Sequence, residues 1–163
     1  MEMPLTPIDF ARRARRLYAE REAVVDGNLR MTYAQFLERC DRWSSALQAL
    51  GTGHGDRVAY IAPNTHAHLE AYYAVPQIGA VLVPINYRLL SDDFEYIINH
   101  CGAKIVCAHS DHIKAIEAFE IDCRTSNTSW RWKVQAMAGS VTSRHLSRIR
   151  PASAKLILPR AIS

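Results

Sequence analysis

From residue 7 to about residue 120 the apolar positions switch between a helical and a strand-like rhythm. Phe10, Ala14, Leu17 and Tyr18 recur at helical spacing and predict a helix over Pro7–Glu20 with that face buried. Arg12, Arg13, Arg15 and Arg16 then fall on a solvated opposite face. Ala23–Asp26 and Arg30–Thr32 read as short strands around Gly27-Asn28, a dipeptide suited to a hairpin turn. Thr32, with Gln35 three residues on, forms a capping box that opens a second helix. Phe36, Leu37, Cys40, Trp43, Leu47 and Leu50 repeat at helical spacing, and Gly51 marks the stop. Cys40 and Trp43 are read as core residues rather than cofactor contacts.

The stretch from Gly51 to Tyr87 is the centre of the pattern. An apolar run (Val58–Ala62), a turn at Pro63-Asn64, a helical stretch from near Thr65 to Ile78, Gly79 and a second apolar run (Ala80–Ile85) make a βαβ unit. Its crossover is expected to be right-handed, with both strands covered on both faces. Pro76 lacks a donor and should kink or end the helix. Ser91 is expected to cap a helix over Asp92–His100, with Asp92, Asp93 and Glu95 near its positive end and Phe94, Ile97 and Ile98 buried. Gly102 stops it, Lys104–Ala108 is a third strand, and Asp111–Phe119 begins another helix. The fold class is α/β, built on a parallel sheet.

The agreement among local signals ends near Glu120. Residues 1–120 carry 12 Lys+Arg against 15 Asp+Glu, whereas residues 121–163 carry 8 against a single acid, Asp122. The basic pI of about 9.0 therefore belongs to the tail. Two regions are expected: a domain over 1–120 and a basic, irregular tail over 121–163. A basic tail with Trp130 and Trp132 beside Arg124, Arg131 and Lys133 raises nucleic-acid binding as one alternative. A non-catalytic interaction module is another.

Other chemistry is sparse. Cys40, Cys101, Cys107 and Cys123 lack CxxC spacing and read as reduced thiols, and no Cys/His pairs have zinc-ligand spacing. His54, His66 and His68 read as lone surface histidines, because residues two apart on a helix face different ways. No apolar run is long enough to span a bilayer. The N-terminus has no apolar core after its arginines, and Glu2, Asp9 and Glu20 argue against a transit peptide. The cytosol is the expected compartment.

Residues from about Thr32 to Asp111 resemble the opening of the adenylate-forming superfamily, the acyl-CoA synthetases or AMP-dependent synthetases and ligases. The matching pieces are TYAQFLERCDRWSSALQALG, GDRVAYIAPN, QIGAVLVPIN, YRLLSDDFEYIINHCGAK and IVCAHSD, in the family's order and spacing. The NYRL run is most similar to the fatty-acyl and medium-chain branch. The resemblance implies part of the large N-terminal domain of an adenylate-forming enzyme. It also implies a two-step ligation. A carboxylate attacks the ATP α-phosphate to give an acyl-adenylate and pyrophosphate, and the CoA thiol then displaces AMP. ATP, Mg and CoA are implied for the full-length family, with a fatty or other carboxylic acid as substrate.

The family's phosphate-cradling loop, a Ser/Thr/Gly-rich stretch ending in Pro-Lys-Gly, does not occur in this sequence. Nor do its later acidic ribose-binding motif and the lysine of its small C-terminal domain. No catalytic, cofactor-binding or metal-binding residue carries over. The chain is therefore expected to be a truncated piece, inactive alone and binding none of these cofactors. Asn64 and Asn86 read as strand-terminating residues and Arg88 as a surface or interface contact.

The tail has a reading in a shifted frame. Back-translated from Cys123 with each codon started on the third base, it can encode PNVEHFVALEG and, a little later, GDGWL. That is acidic and apolar, as the family is at this point. Trp130 (with a CGN codon at Arg131), Trp132 and Met137 force Ala, Glu and Gly in that frame, and all three fit. One base lost near Phe119–Ile121 would account for the charge reversal.

Overall fold

The computed structural model describes residues 6–117 and 134–136. The first element, α1 (Pro7–Tyr18), opens on a capping box that the sequence reading did not identify. The Asp9 carboxylate accepts from the Thr6 N–H (3.1 Å) and hydroxyl (2.7 Å), while the Asp9 N–H reaches back to the hydroxyl oxygen. The predicted burial of α1 is overturned. Phe10 is 59% exposed, Leu17 and Tyr18 are exposed too, and the helix contributes no buried residue. It rests on the core through the small Ala11, which lets the backbone approach closely and turns the larger side chains outward.

β1 (Glu22–Asp26) and β2 (Leu29–Thr32) form the expected antiparallel hairpin, turning at Gly27 with φ +58°. α2 (Tyr33–Ala49) begins at the predicted Thr32–Gln35 box. It ends before Gly51, which takes φ +84°. The βαβ unit follows as β3 (Arg57–Ile61), α3 (His66–Gln77) and β4 (Val81–Ile85). Pro76 sits one residue from the end of α3, so it terminates the helix. Gly79 must be glycine on two counts: its φ is +76°, and a Cβ there would lie 2.9 Å from the His54 ring.

α4 (Ser91–Cys101), β5 (Ile105–Ala108), a 3₁₀ turn (Ser110–His112) and α5 (Ile113–Glu117) complete the main body. Ser91 is not the cap of α4. Leu90 holds that position, its N–H donating to Asp93 Oδ2 (3.1 Å), while the Ser91 hydroxyl donates to the Ala115 carbonyl (3.1 Å) and ties α4 to α5. The predicted continuation of α5 to Phe119 lies outside the described residues. β6 (Val134–Ala136) pairs parallel to β5, so the stretch read as irregular supplies one short strand.

The parallel sheet has the order β4-β3-β5-β6. β3 connects through α3 to one side and β4 returns through α4 to the other. Two right-handed crossovers running in opposite directions put their helices on opposite faces. The cores confirm this layering. Val58, Tyr60, Ala62, Ile105 and Cys107 pack with α2 and α3, while Ala59, Ile61, Val106 and Ala108 pack with Phe94 and Ile98 of α4. β3 is covered on both faces, as predicted, but β4 is an edge strand with Val81 half-exposed and Pro84 exposed. At the amino ends of the strands, Lys104 Nζ donates to the Gly51 carbonyl (2.6 Å) and Asp56 (2.7 Å), joining the end of α2 to β3 and β5.

Candidate functional site

In an open parallel sheet, ligands gather beyond the carboxyl ends of the strands, where consecutive connections leave in opposite directions. Here that point lies between β3 and β5. The His109 N–H donates to the Ile61 carbonyl (2.8 Å) and draws the two strand ends together. The turn Ala62–Thr65 follows β3, His109–Asp111 follows β5, and Asn86–Arg88 follows the neighbouring β4.

The most organised polar group at this end is one that sequence reasoning missed. Asp26, on the hairpin, accepts from the His66 main-chain N–H (2.9 Å), and its Oδ2 lies 2.7 Å from His66 Nδ1. Thr65 makes no side-chain cap for α3, so a carboxylate 40 residues away does that work and docks the hairpin on the helix. These bonds from the His66 backbone and then its ring hold the Asp26 carboxyl below the usual carboxylate range. His66 is thus not a lone surface histidine.

Nor is His68. It is buried, stacked on Tyr72 (5.3 Å) and tilted against Tyr60 (4.9 Å), and neither ring nitrogen has a hydrogen-bond partner of normal geometry. Burial pushes its pKa down, and the nearby main chain of Pro63 and Ala62 works weakly against that shift. The sign of the consequence is fixed. The unfolded chain takes up a proton near pH 6.5 and the folded one resists, so this stability is present above pH 6.5 and lost as pH falls below it. His68→Phe should therefore flatten the urea midpoint between pH 7.5 and 5.5, by up to about 1.4 kcal/mol per pH unit relative to the parent chain. Equal pH slopes in the two chains would refute the assignment.

The other candidates behave as their sequence positions suggested. Asn64 is exposed beyond β3. Asn86 turns the chain after β4, its Oδ1 accepting from the Arg88 N–H (3.0 Å). Arg88 is exposed and lies over the Tyr87 ring, donating to its hydroxyl (3.2 Å). His54 is exposed beside Gly79. Cys40 and Cys107 are buried thiols whose pKa values burial pushes up to about 12, the wrong direction for a nucleophile. Cys123 and the Trp130, Trp132, Arg124, Arg131 and Lys133 group lie outside the described residues.

Among the described residues no group of three or more His, Cys, Asp or Glu could hold a metal ion. The shallow depression on α4 is lined by Asp92, Glu95, Tyr96, Asn99 and His100, and its two carboxylates repel a phosphate. At the carboxyl ends of the strands the described residues present the carboxylate–imidazole pair of Asp26 and His66.

The profile of the AMP-binding enzyme family matches residues 10–151. The chain belongs to that family. This AMP-binding family chain is 39% identical over 129 residues to a long-chain-fatty-acid–CoA ligase of Thermus thermophilus, covering 77% of this chain and 24% of that protein. It is 40% identical over 104 residues to a peroxisomal benzoate–CoA ligase of Arabidopsis thaliana, covering 64% and 18%. Among solved structures it superposes on a Mycobacterium tuberculosis fatty acyl CoA synthetase with TM-score 0.65 and 33% identity, covering 68% of this chain and 22% of that one. It thus spans about a fifth of the length of these relatives. The superposition confirms the α/β layer as part of the large N-terminal domain of adenylate-forming ligases. No helix among the described residues is long and apolar enough to cross a membrane.

Proposed function

We propose that this chain is the opening portion of a carboxylate–CoA ligase that works through an acyl-adenylate, and that alone it does not catalyse the reaction. The observation that carries this reading is the family match, with relatives named as fatty-acid and benzoate ligases, on a chain that spans 18–24% of their length. Adenylation needs fixed donors around the phosphoryl oxygens where charge develops. The sequence has no Ser/Thr/Gly-rich loop ending in Pro-Lys-Gly to supply them. The β3–β5 end would serve as a supporting wall, with ATP, Mg and CoA held by parts of the family's fold beyond the portion this sequence matches. In this reading the acid is a fatty or other carboxylic acid, and the compartment is the cytosol. The boundary at 120 and the shifted frame beyond it belong to the same proposal, supported by the charge reversal and by the forced positions at Trp130, Trp132 and Met137.

The test is carboxylate-dependent ATP–pyrophosphate exchange, run on this chain and on the product of the gene resequenced and frame-repaired through codons 119–123. This chain should give blank exchange, and the repaired product should exchange with a fatty or aryl acid. Exchange by this chain that survives stringent purification would overturn its inactivity. An intact frame with no displaced family motif would overturn the shifted-frame reading.

A further inference from the structure

We propose that Asp26-Gly27, at the tip of the β1–β2 hairpin, is a site of spontaneous isomerisation to isoaspartate, and that the contact of Asp26 with His66 holds this modification in check while the chain is folded. It is the only Asp-Gly step in the sequence, and no Asn-Gly step occurs. Glycine is the following residue that hinders its own amide nitrogen least, because it has no Cβ. Gly27 sits in the turn between the paired Asp26 and Leu29 with φ +58°, and a Cβ there would meet nothing within 4 Å among the described residues.

The chemistry is an intramolecular exchange that needs only water. The Gly27 nitrogen forms a bond to Asp26 Cγ and loses its proton, and one carboxyl oxygen leaves as water. The cyclic imide then takes up a water and one of its two C–N bonds breaks. Attack at Cγ returns aspartate; attack at the Asp26 main-chain carbonyl carbon gives isoaspartate. The first step needs a neutral carboxyl, since an ionised oxygen does not leave, and it needs Cγ free to swing onto the Gly27 nitrogen. The fold opposes both. Asp26 Oδ2 accepts from the His66 main-chain N–H (2.9 Å) and lies 2.7 Å from His66 Nδ1, which tethers the carboxylate to α3. The same two contacts, main chain first and ring second, hold its pKa below the usual range, so little of it is neutral. Isomerisation would be self-sustaining. It adds a methylene to the main chain after Asp26 and leaves the carboxylate on Cα, one carbon shorter. The Asp26–Leu29 register and the acceptor at the start of α3, where Thr65 makes no side-chain cap, are then lost together.

The test is incubation of the full chain in heavy-oxygen water at neutral pH, folded and in urea, followed by brief tryptic digestion. Cleavage after Arg21 and Arg30 releases Glu22–Arg30, whose aspartate and isoaspartate forms have equal mass but separate by chromatography and by their backbone fragments. Each turnover also places one solvent oxygen at residue 26. The variants are His66→Phe, which removes the ring contact, and Arg39→Met, which weakens the domain through the α2–α3 ion pair and leaves Asp26 and His66 in place. Both are compared with the parent where circular dichroism shows them folded. The folded parent should isomerise at least roughly tenfold more slowly than the same chain in urea, a ratio that needs no variant. His66→Phe should react roughly tenfold faster than the parent while folded, and Arg39→Met should keep the parent's rate. Equal rates for the folded and urea-unfolded parent would overturn the proposal. So would a His66→Phe rate no higher than the parent's. Equal acceleration in His66→Phe and Arg39→Met would assign the reaction to whole-domain unfolding and overturn the protective role of the Asp26–His66 contact.

Discussion

Arg39→Met should destabilise the domain by about 2–3 kcal/mol, more than any other single surface-reaching substitution. The asymmetry of the pair is the reason. The Glu70 side chain is 3% exposed on α3, between α2 and the sheet, while its partner Arg39 on α2 is 47% exposed. Arg39 Nε donates to Glu70 Oε1 at 2.6 Å and Nη2 to Oε2 at 3.4 Å, a fork that satisfies both oxygens. Removing the arginine leaves a carboxylate in a site whose low polarity is visible in its neighbours. The Cys40 thiol is pushed up to about 12, by burial first and by the Glu70 charge second. Water reaches the arginine side of the pair, so the loss falls below the 3–5 kcal/mol typical of a fully buried pair. Arg39→Met/Glu70→Leu should recover most of that loss, because a neutral pair of similar volume leaves no charge to desolvate. Urea denaturation of the parent, both single variants and the double variant gives the coupling directly. A coupling under about 0.5 kcal/mol would place the pair among the ordinary surface ion pairs.

What the sequence made legible follows from the range of each interaction. The Thr32–Gln35 box, the stop at Gly51 and the alternation of Val58, Ala59, Tyr60 and Ile61 between two faces are local, and all appear where their spacing placed them. The Thr6–Asp9 box is equally local and was there to be read. Asp26 and His66 could not be paired from spacing, because 40 residues and a hairpin separate them. His68 was misread for a related reason. Its place on the helix is local, but the Tyr60 ring that covers it comes from β3. α1 failed in the opposite sense: its period is a good helical one, but which side faces inward was settled by the close fit of Ala11, not by the apolar stripe. The functional site was least legible because the chain spans only about a fifth of its relatives, and the phosphate loop is not among its residues.

The inversion at α1 sets up the second large effect, Trp43→Ala, which should cost about 3–5 kcal/mol. Trp43 and Phe10 are both large aromatic residues at helical spacing, and the sequence alone placed both on buried faces. In the fold Trp43 is 7% exposed and its ring packs 5.6 Å from that of Tyr60, at the centre of β3, where α2 meets the sheet. Deleting it opens a cavity that the flanking Leu47 and Cys40 are too short to fill, and it strips Tyr60 of one of its two ring neighbours, leaving His68. Phe10→Ala removes a side chain already in water and should change stability by no more than about 0.5 kcal/mol. Total stabilities of natural domains are only about 5–15 kcal/mol, and this one has an open edge at β4. Trp43→Ala should therefore leave a substantial unfolded population at room temperature without denaturant. Trp43→Phe, which keeps most of the ring contact, should retain a cooperative transition at a lower urea midpoint. Circular dichroism at 222 nm against urea distinguishes the three variants. If Phe10→Ala proved as costly as Trp43→Ala, α1 would have to turn its apolar stripe inward, against the 59% exposure of Phe10.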